Sequence, residues 1–420
     1  MATKRRVGPS AWILGGAGVA IGVIAAWLVS QGNPGNMGLC IACFLRDTAG
    51  FFIGPAANMG AVAYIRPEIV GLMLGATLAA LATKEFRPRG GSATAVRFLL
   101  GFVFMVAALV FLGCTVRAWL RLGGGDLNAL WGILGIVAGV SVGVLALRRG
   151  FDLGRAGSVP RAMGWIAPLV AVVLLVLSVV TALSGPPNGF TVTTANALAT
   201  GDDPPAVFVK GADGAPADVV KPAGGTVGAH GSIIASDGSV AASAASVAAA
   251  KPQPGGKRAP LLISLAAGLA IGVIAQRSRF CSVGGIRDAL LVKRFDLLFG
   301  VLGLLLGAFV ANVALGQFHL GFEGQPIAHT DALGNFAAMA VAGLAAVLLG
   351  GCPFRQVIMS AEGDADAFAA VVGMVAGAVA SHYFGIASTA KGLSSLGWPA
   401  LAAGAALLVV IAFARRGQTA

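Results

Sequence analysis

Ten apolar runs, each close to the length of a bilayer-spanning helix, fill most of this chain, and the charges between them sit in short connections. Five runs precede residue 185, at 11–31, 66–84, 97–116, 128–147 and 164–184. Five follow residue 259, at 260–276, 295–315, 333–350, 366–385 and 398–414. About 20 predominantly apolar residues cross a hydrocarbon core roughly 30 Å thick. In that core each backbone polar group must be satisfied within its own segment, so such runs fold as helices. Composition agrees, with 57% hydrophobic and only 11% charged residues, where a soluble domain carries about 25% charged. The expected fold class is an all-α polytopic membrane protein.

The basic residues set an orientation. Lys4, Arg5 and Arg6 precede the first run, and loops 84–97, 148–163 and 277–294 and the tail at Arg415 and Arg416 are rich in Lys and Arg. The alternate loops are poor: 316–332 has neither residue, and 386–397 has only Lys391. Positive charge accumulates in cytoplasmic loops, so both termini are expected in the cytoplasm. The net charge of +12 is scattered through these loops, which argues for topology and against a nucleic-acid surface. The first apolar run is long enough to span, so MATKRRV is not read as part of a cleaved signal.

Three regions follow: a membrane repeat at 1–184, a hydrophilic low-complexity linker at 185–259 and a second membrane repeat at 260–420. The linker is rich in Ala, Gly, Pro, Ser and Asp and opens with Pro186-Pro187. It is expected to be extracytoplasmic and mostly disordered, with a small β-structured insert over AVFVK, TVGAH and GSIIAS as the lesser alternative. Five spans before the linker turn the second repeat upside down. The architecture expected is therefore an inverted repeat of about ten spanning helices, with short re-entrant helices at 36–50 and 281–293.

Two cysteine motifs, each present once in each half, support the duplication. GGCPFRQVIMSAEGD places Arg355, Gly363 and Asp364 at the same distances from Cys352 as GCTVRAWLRLGGGD places Arg117, Gly125 and Asp126 from Cys114. CIACFLRD (Cys40, Arg46, Asp47) matches CSVGGIRD (Cys281, Arg287, Asp288). The octamers GVAIGVIA and GLAIGVIA align Gly18 and Gly22 with Gly268 and Gly272, a spacing that lets helices pack closely in lipid.

A single cysteine in an apolar helix is most often a small packing residue. Four of them held in register with arginines across a diverged duplication point instead to a path through the membrane. Inversion puts Cys40 and Cys114 towards the outer face and Cys281 and Cys352 towards the inner one. Thiols are soft and polarizable and suit sulfur or selenium atoms, while arginines and half-helix N-termini favour an anion. Arg46, Arg117, Arg287 and Arg355 are the candidate cations. Arg117 and Arg355 are the stronger pair, because Arg46 and Arg287 each precede an aspartate. Cys43 is expected as an accessory thiol in an outer vestibule, since Gly284 stands at the matching position. His319, Glu323, His329 and Asp331 suggest loop capping rather than metal binding, and Asp47, Asp288 and Glu362 are candidates for ion coupling. There is no GxxxxGK[ST], HExxH or GxSxG, so ATP hydrolysis and hydrolase chemistry are not expected.

The segments GNMGLCIACFLRD, FRPRGG, GCTVRAWLRLGGGDLNAL, AQRSRFCSVGGIRD, GQFHLGFEGQPIAHTD and GGCPFRQVIMSAEGD resemble the YeeE/YedE family of sulfur-transport membrane proteins, most closely its YedE-like branch associated with selenium. The resemblance covers both halves and leaves out mainly the linker. It implies an hourglass passage in which Cys40, Cys114, Cys281 and Cys352 help conduct thiosulfate or a related species. The function expected is import of a small sulfur- or selenium-containing anion, without cofactor, metal or catalytic residue, and with a cytoplasmic sulfur- or selenium-accepting protein as a plausible partner. The alternative is a membrane-embedded sulfur-transfer or thiol redox protein using Cys40–Cys43.

Overall fold

A computed structural model describes residues 10–54, 57, 59, 63–184 and 258–417, together with five short strands between 207 and 242. Seven helices precede the linker: α1 (Ser10–Ser30), α2 (Ile41–Ile53), α3 (Pro67–Ala82), α4 (Thr94–Phe111), α5 (Thr115–Gly123), α6 (Asn128–Arg148) and α7 (Arg161–Ser184). Seven follow it: α8 (Leu261–Ser278), α9 (Ser282–Leu291), α10 (Asp296–Ala314), α11 (Ala332–Leu349), α12 (Pro353–Ala361), α13 (Ala365–Tyr383) and α14 (Gly397–Ala414). Among the described residues, 9 helical segments are long and apolar enough to cross a membrane. The molecule is a helical, multi-pass membrane-embedded protein. The run expected at 66–84 forms α3, which at 16 residues falls short of that length. Pro67 occupies its first turn, and Lys84 in a left-handed conformation (φ 57°) follows its end.

Two expected spans are interrupted, and that changes the count of short helices. The run 97–116 ends as α4 at Phe111, where Leu112 turns left-handed (φ 65°), and α5 starts afresh after Cys114. The run 333–350 ends as α11 at Leu349 before Gly350 (φ 92°), and α12 starts after Cys352 with Pro353 in its first turn. A left-handed residue ends the α-helical ladder within one position, and glycine adopts it without a Cβ clash. There are thus four short helices, α2, α5, α9 and α12, where the sequence suggested two.

The most extensive helix contacts join the two halves: α1 with α10, α8 with α3, α6 with α11 and α13 with α4. The pairs exchange when the halves are exchanged. In α1 a methyl group added at Gly18 or Gly22 would collide with backbone carbonyls of Gly300 and Leu304 on α10. In α8 the same addition at Gly268 or Gly272 would collide with those of Glu68 and Leu72 on α3. The duplicated glycines are therefore contact points at which two backbones touch, the close approach that packs helices in lipid. Large apolar side chains such as Ile13, Leu134, Val173, Leu306 and Val410 stay exposed on the rim, while Phe104, Phe111, Phe280 and Phe354 fill the centre.

The arginine-rich connections touch one another. Strand β1 (Arg89–Gly90) pairs with β2 (Gly157–Ser158), Arg89 bridges to Asp364, and Phe151 bridges to Arg416. The basic-poor connections also meet, through Asp126 and Gly321 and through the carbonyl of Gly124, which accepts from the His319 N–H at 2.9 Å. Within the linker, β3 (Val207–Lys210) pairs antiparallel with β4 (Pro216–Val219), and β5 (Thr226–Val227), β6 (Ile233–Ile234) and β7 (Val240–Ala242) form a three-stranded sheet. Strands lie in all three stretches of the lesser alternative, AVFVK, TVGAH and GSIIAS. The rest of 185–257 lies outside the described residues.

Candidate functional site

Each of the four cysteines in the repeated motifs is the N-cap of a short helix: Cys40 of α2, Cys114 of α5, Cys281 of α9 and Cys352 of α12. An N-cap is usually Ser, Thr, Asp or Asn, whose side-chain oxygen accepts one of the first free N–H groups. Here sulfur takes that place at two of them. Cys40 Sγ accepts from the Cys43 N–H at 3.4 Å, and Cys281 Sγ accepts from the Gly284 N–H at 3.2 Å. Each helix start carries a partial positive charge of about half a unit, and all four end on a thiol.

The cysteines are buried and free. They lie in pairs, Cys40 within electrostatic reach of Cys114 and Cys281 of Cys352. Cys281 Sγ also accepts the Cys352 backbone N–H at 3.3 Å. The pairs are those expected for the two faces, yet they adjoin. Thr115, directly after Cys114, lies with its hydroxyl 2.9 Å from that of Ser282, directly after Cys281. The hydroxyl contact thus lies where the cysteine-led helix start of one half meets that of the other, and Thr115, Ser282 and all four cysteines are buried.

Cys43 does not stand in a vestibule. It is 1% exposed, and the Cys40 thiol donates to its sulfur at 2.9 Å. The reason is local: Cys43 lies three residues beyond the N-cap, where its own N–H must turn to Cys40.

The four arginines have different fates. Arg46 donates to Asp47 at 2.6 Å and Arg287 to Asp288 at 2.9 Å, the pairings their adjacency suggested. Asp47 is also held by Arg66 at 2.6 Å, so two guanidinium groups share one carboxylate. Arg355 has no acid beside it in the sequence, yet it reaches one further along: it donates to Glu362 at 3.1 Å. Glu362 ends the same helix two turns on, within reach of a long side chain, and also takes Arg279 at 3.1 Å and Arg89 at 3.7 Å. Arg117 meets no acid among the described residues. Fully buried, it donates only to backbone carbonyls, those of Asn36, Leu112, Pro326 and Ile327. It is a cation held by dipoles, a clamp on three separate segments.

Of the ion-coupling candidates, Asp47, Asp288 and Glu362 are each engaged by arginine. In the loop 316–331, Asp331 caps α11 by accepting from the Gly334 N–H at 2.7 Å, and His329 bonds the Val110 carbonyl at 2.9 Å. Burial pushes the His329 imidazole below its ordinary pKa of 6.5, with the nearby Arg121 acting in the same direction.

Sequence reasoning missed Thr115, Ser282, Arg66 and Arg121. Arg121 is buried beside Asp126 at 2.6 Å and stacks on Phe111 at 4.4 Å. A signal for the hydroxyls existed, because each directly follows a motif cysteine, but only the fold shows that they touch. No family model matches the chain, and no curated protein matches it.

The site offers soft contacts from thiols, harder donors from two hydroxyls, and a positive field from four helix starts and from Arg117. Such a set suits a small anion carrying a polarizable atom.

Proposed function

We propose that this chain is a transporter of the YeeE/YedE type that imports a small sulfur- or selenium-containing anion, thiosulfate or a selenium analogue, across an inner (plasma) membrane. The carrying observation is the convergence of four buried, free cysteines, each at the start of a short helix, with the Cys352 N–H on Cys281 Sγ and the hydroxyls of Thr115 and Ser282 in contact between the halves. A packing role would not place four thiols at four helix starts. The two halves are read as an inverted repeat with both termini in the cytoplasm. The exchange-symmetric helix pairs and the clustering of arginine-rich loops support that reading.

Cys40, Cys114, Cys281 and Cys352 make the soft contacts, and Arg117 supplies the uncompensated positive charge. Arg46, Arg287 and Arg355 act with their paired carboxylates as the polar rim of the path. The anion leaves towards a cytoplasmic acceptor of sulfur or selenium. The test is uptake of thiosulfate, with selenium compounds in competition, in a strain that lacks its own import. Serine at Cys114 or Cys352 should lower uptake. Intact uptake with alanine at all four cysteines would sink the proposal.

The 2.9 Å approach of the Cys40 and Cys43 sulfurs favours a second reading, sulfur transfer or thiol redox chemistry at that pair. Under it, C43S would abolish a thiol-transfer activity while C114S left that activity in place.

A further inference from the structure

The thiol path is broken at its middle by oxygen. Between the Cys40–Cys114 pair and the Cys281–Cys352 pair stand the hydroxyls of Thr115 and Ser282, 2.9 Å apart and both fully buried. Neither is needed as a helix cap, because the preceding cysteine already holds the N-cap position of α5 and of α9. The other two short helices begin with Ile41 and Pro353, so a hydroxyl at this position is not a requirement of the motif.

The two groups differ from thiols in what they recognise. A thiol is a weak donor, whereas a hydroxyl is a full donor that rotates to suit its partner. At rest the pair is self-satisfied, one hydroxyl donating to the other. An arriving oxyanion lets both hydroxyls turn and donate to it, and hydrogen bonds to a charged acceptor are roughly twice as strong as neutral ones. A buried oxyanion without such donors would be strongly disfavoured.

We propose that Thr115 and Ser282 form an oxyanion filter at the centre of the path, so that the carried species has both a terminal sulfur or selenium and an oxyanion group. The thiols on either side handle the soft atom and the hydroxyl pair handles the oxygens. Thiosulfate and selenosulfate meet both demands. Hydroselenide offers no oxygen, and sulfate offers no soft atom. The filter rests on the transport reading given above and narrows its substrate class.

The test uses the full chain in proteoliposomes, with thiosulfate uptake and anaerobic hydroselenide uptake measured side by side. The variants are T115V, which keeps shape and loses the hydroxyl, S282A, and the conservative T115S and S282T. The melting temperature in detergent serves as the check on folding. T115V combined with S282A should cut thiosulfate uptake by about 10-fold or more, the loss of at least one charge-assisted hydrogen bond. Hydroselenide uptake, whatever its wild-type rate, should not fall by a comparable factor, and T115S and S282T should keep most thiosulfate uptake. Sulfate should compete poorly against wild type. A double variant that moves thiosulfate at the wild-type rate, or one that loses both anions equally, overturns the filter alone. A wild type that moves neither anion overturns the transport reading, and the filter with it.

Discussion

Among single residues, Arg117 and Arg355 make the clearest contrast. Identical spacing from their cysteines made them equivalent in the sequence, and Glu362 separates them. Arg117 holds three segments by their carbonyls with a planar fork of donors that lysine cannot reproduce. R117K is therefore expected to lower thiosulfate uptake by about 10-fold, equivalent to roughly 1.4 kcal/mol. R355K, which still faces Glu362, should fall less. Rates of initial uptake for the two variants measure the difference.

His329 makes a second contrast at this scale. Its folded pKa lies below its ordinary 6.5 because burial disfavours the imidazolium. The groups facing it are Arg121 and Asp126 from the α5 end and Asp331 on its own loop, with the Val110 carbonyl as its hydrogen-bond partner. Above pH 6.5 the imidazole is neutral in both folded and unfolded chains and pH has no effect. As the pH falls below 6.5 the unfolded chain takes up the proton first, so stability declines until the folded pKa is passed. Melting temperatures measured from pH 7.5 to pH 5 should drop, and H329Q should flatten that slope.

At the scale of elements, the duplicated glycines explain why helices from opposite halves are partners. Gly272 on α8 lies against the Leu72 carbonyl of α3, and Gly22 on α1 against the Leu304 carbonyl of α10. A leucine at either position cannot be relieved by rotamer changes, because the obstacle is backbone. G272L and G22L should each cost at least the ~1–3 kcal/mol typical of overpacking. They should also separate the paired helices, which distance measurements between spin labels on α8 and α3 would register. Alanine at exposed Gly16, where no atom stands within 4 Å of the added methyl, should be neutral.

For the whole molecule, the arginine-rich loops touch through β1, β2 and the Phe151–Arg416 bridge, and the proposed orientation places them in the cytoplasm. Reporter fusions active only outside the cytoplasm should be silent at either terminus and active in the linker around 185–259. An active fusion at the C-terminus would refute the placement of both termini in the cytoplasm and with it the inverted arrangement.

Much was legible in advance because lipid imposes it. The apolar runs, their approximate ends and the charge bias of the loops are local properties, and a bilayer reads them residue by residue. The duplication was legible too, since equal spacing survives divergence. Hidden were the interruptions after Phe111 and Leu349, because a left-handed Leu112 or Gly350 leaves the apolar pattern nearly unchanged. Hidden as well was the meeting of Thr115 with Ser282, 167 residues apart. Hydropathy and motif spacing carry no record of which residues meet across two halves. The sequence by itself determined a membrane bundle with two sets of cysteines. Only the tertiary structure decided that four helix starts converge, that Glu362 quenches Arg355 while Arg117 meets no acid among the described residues, and that the hydroxyls of Thr115 and Ser282 touch across the two halves. Those outcomes depend on helix packing in three dimensions, where backbone contact at glycine fixes which thiols and hydroxyls can touch.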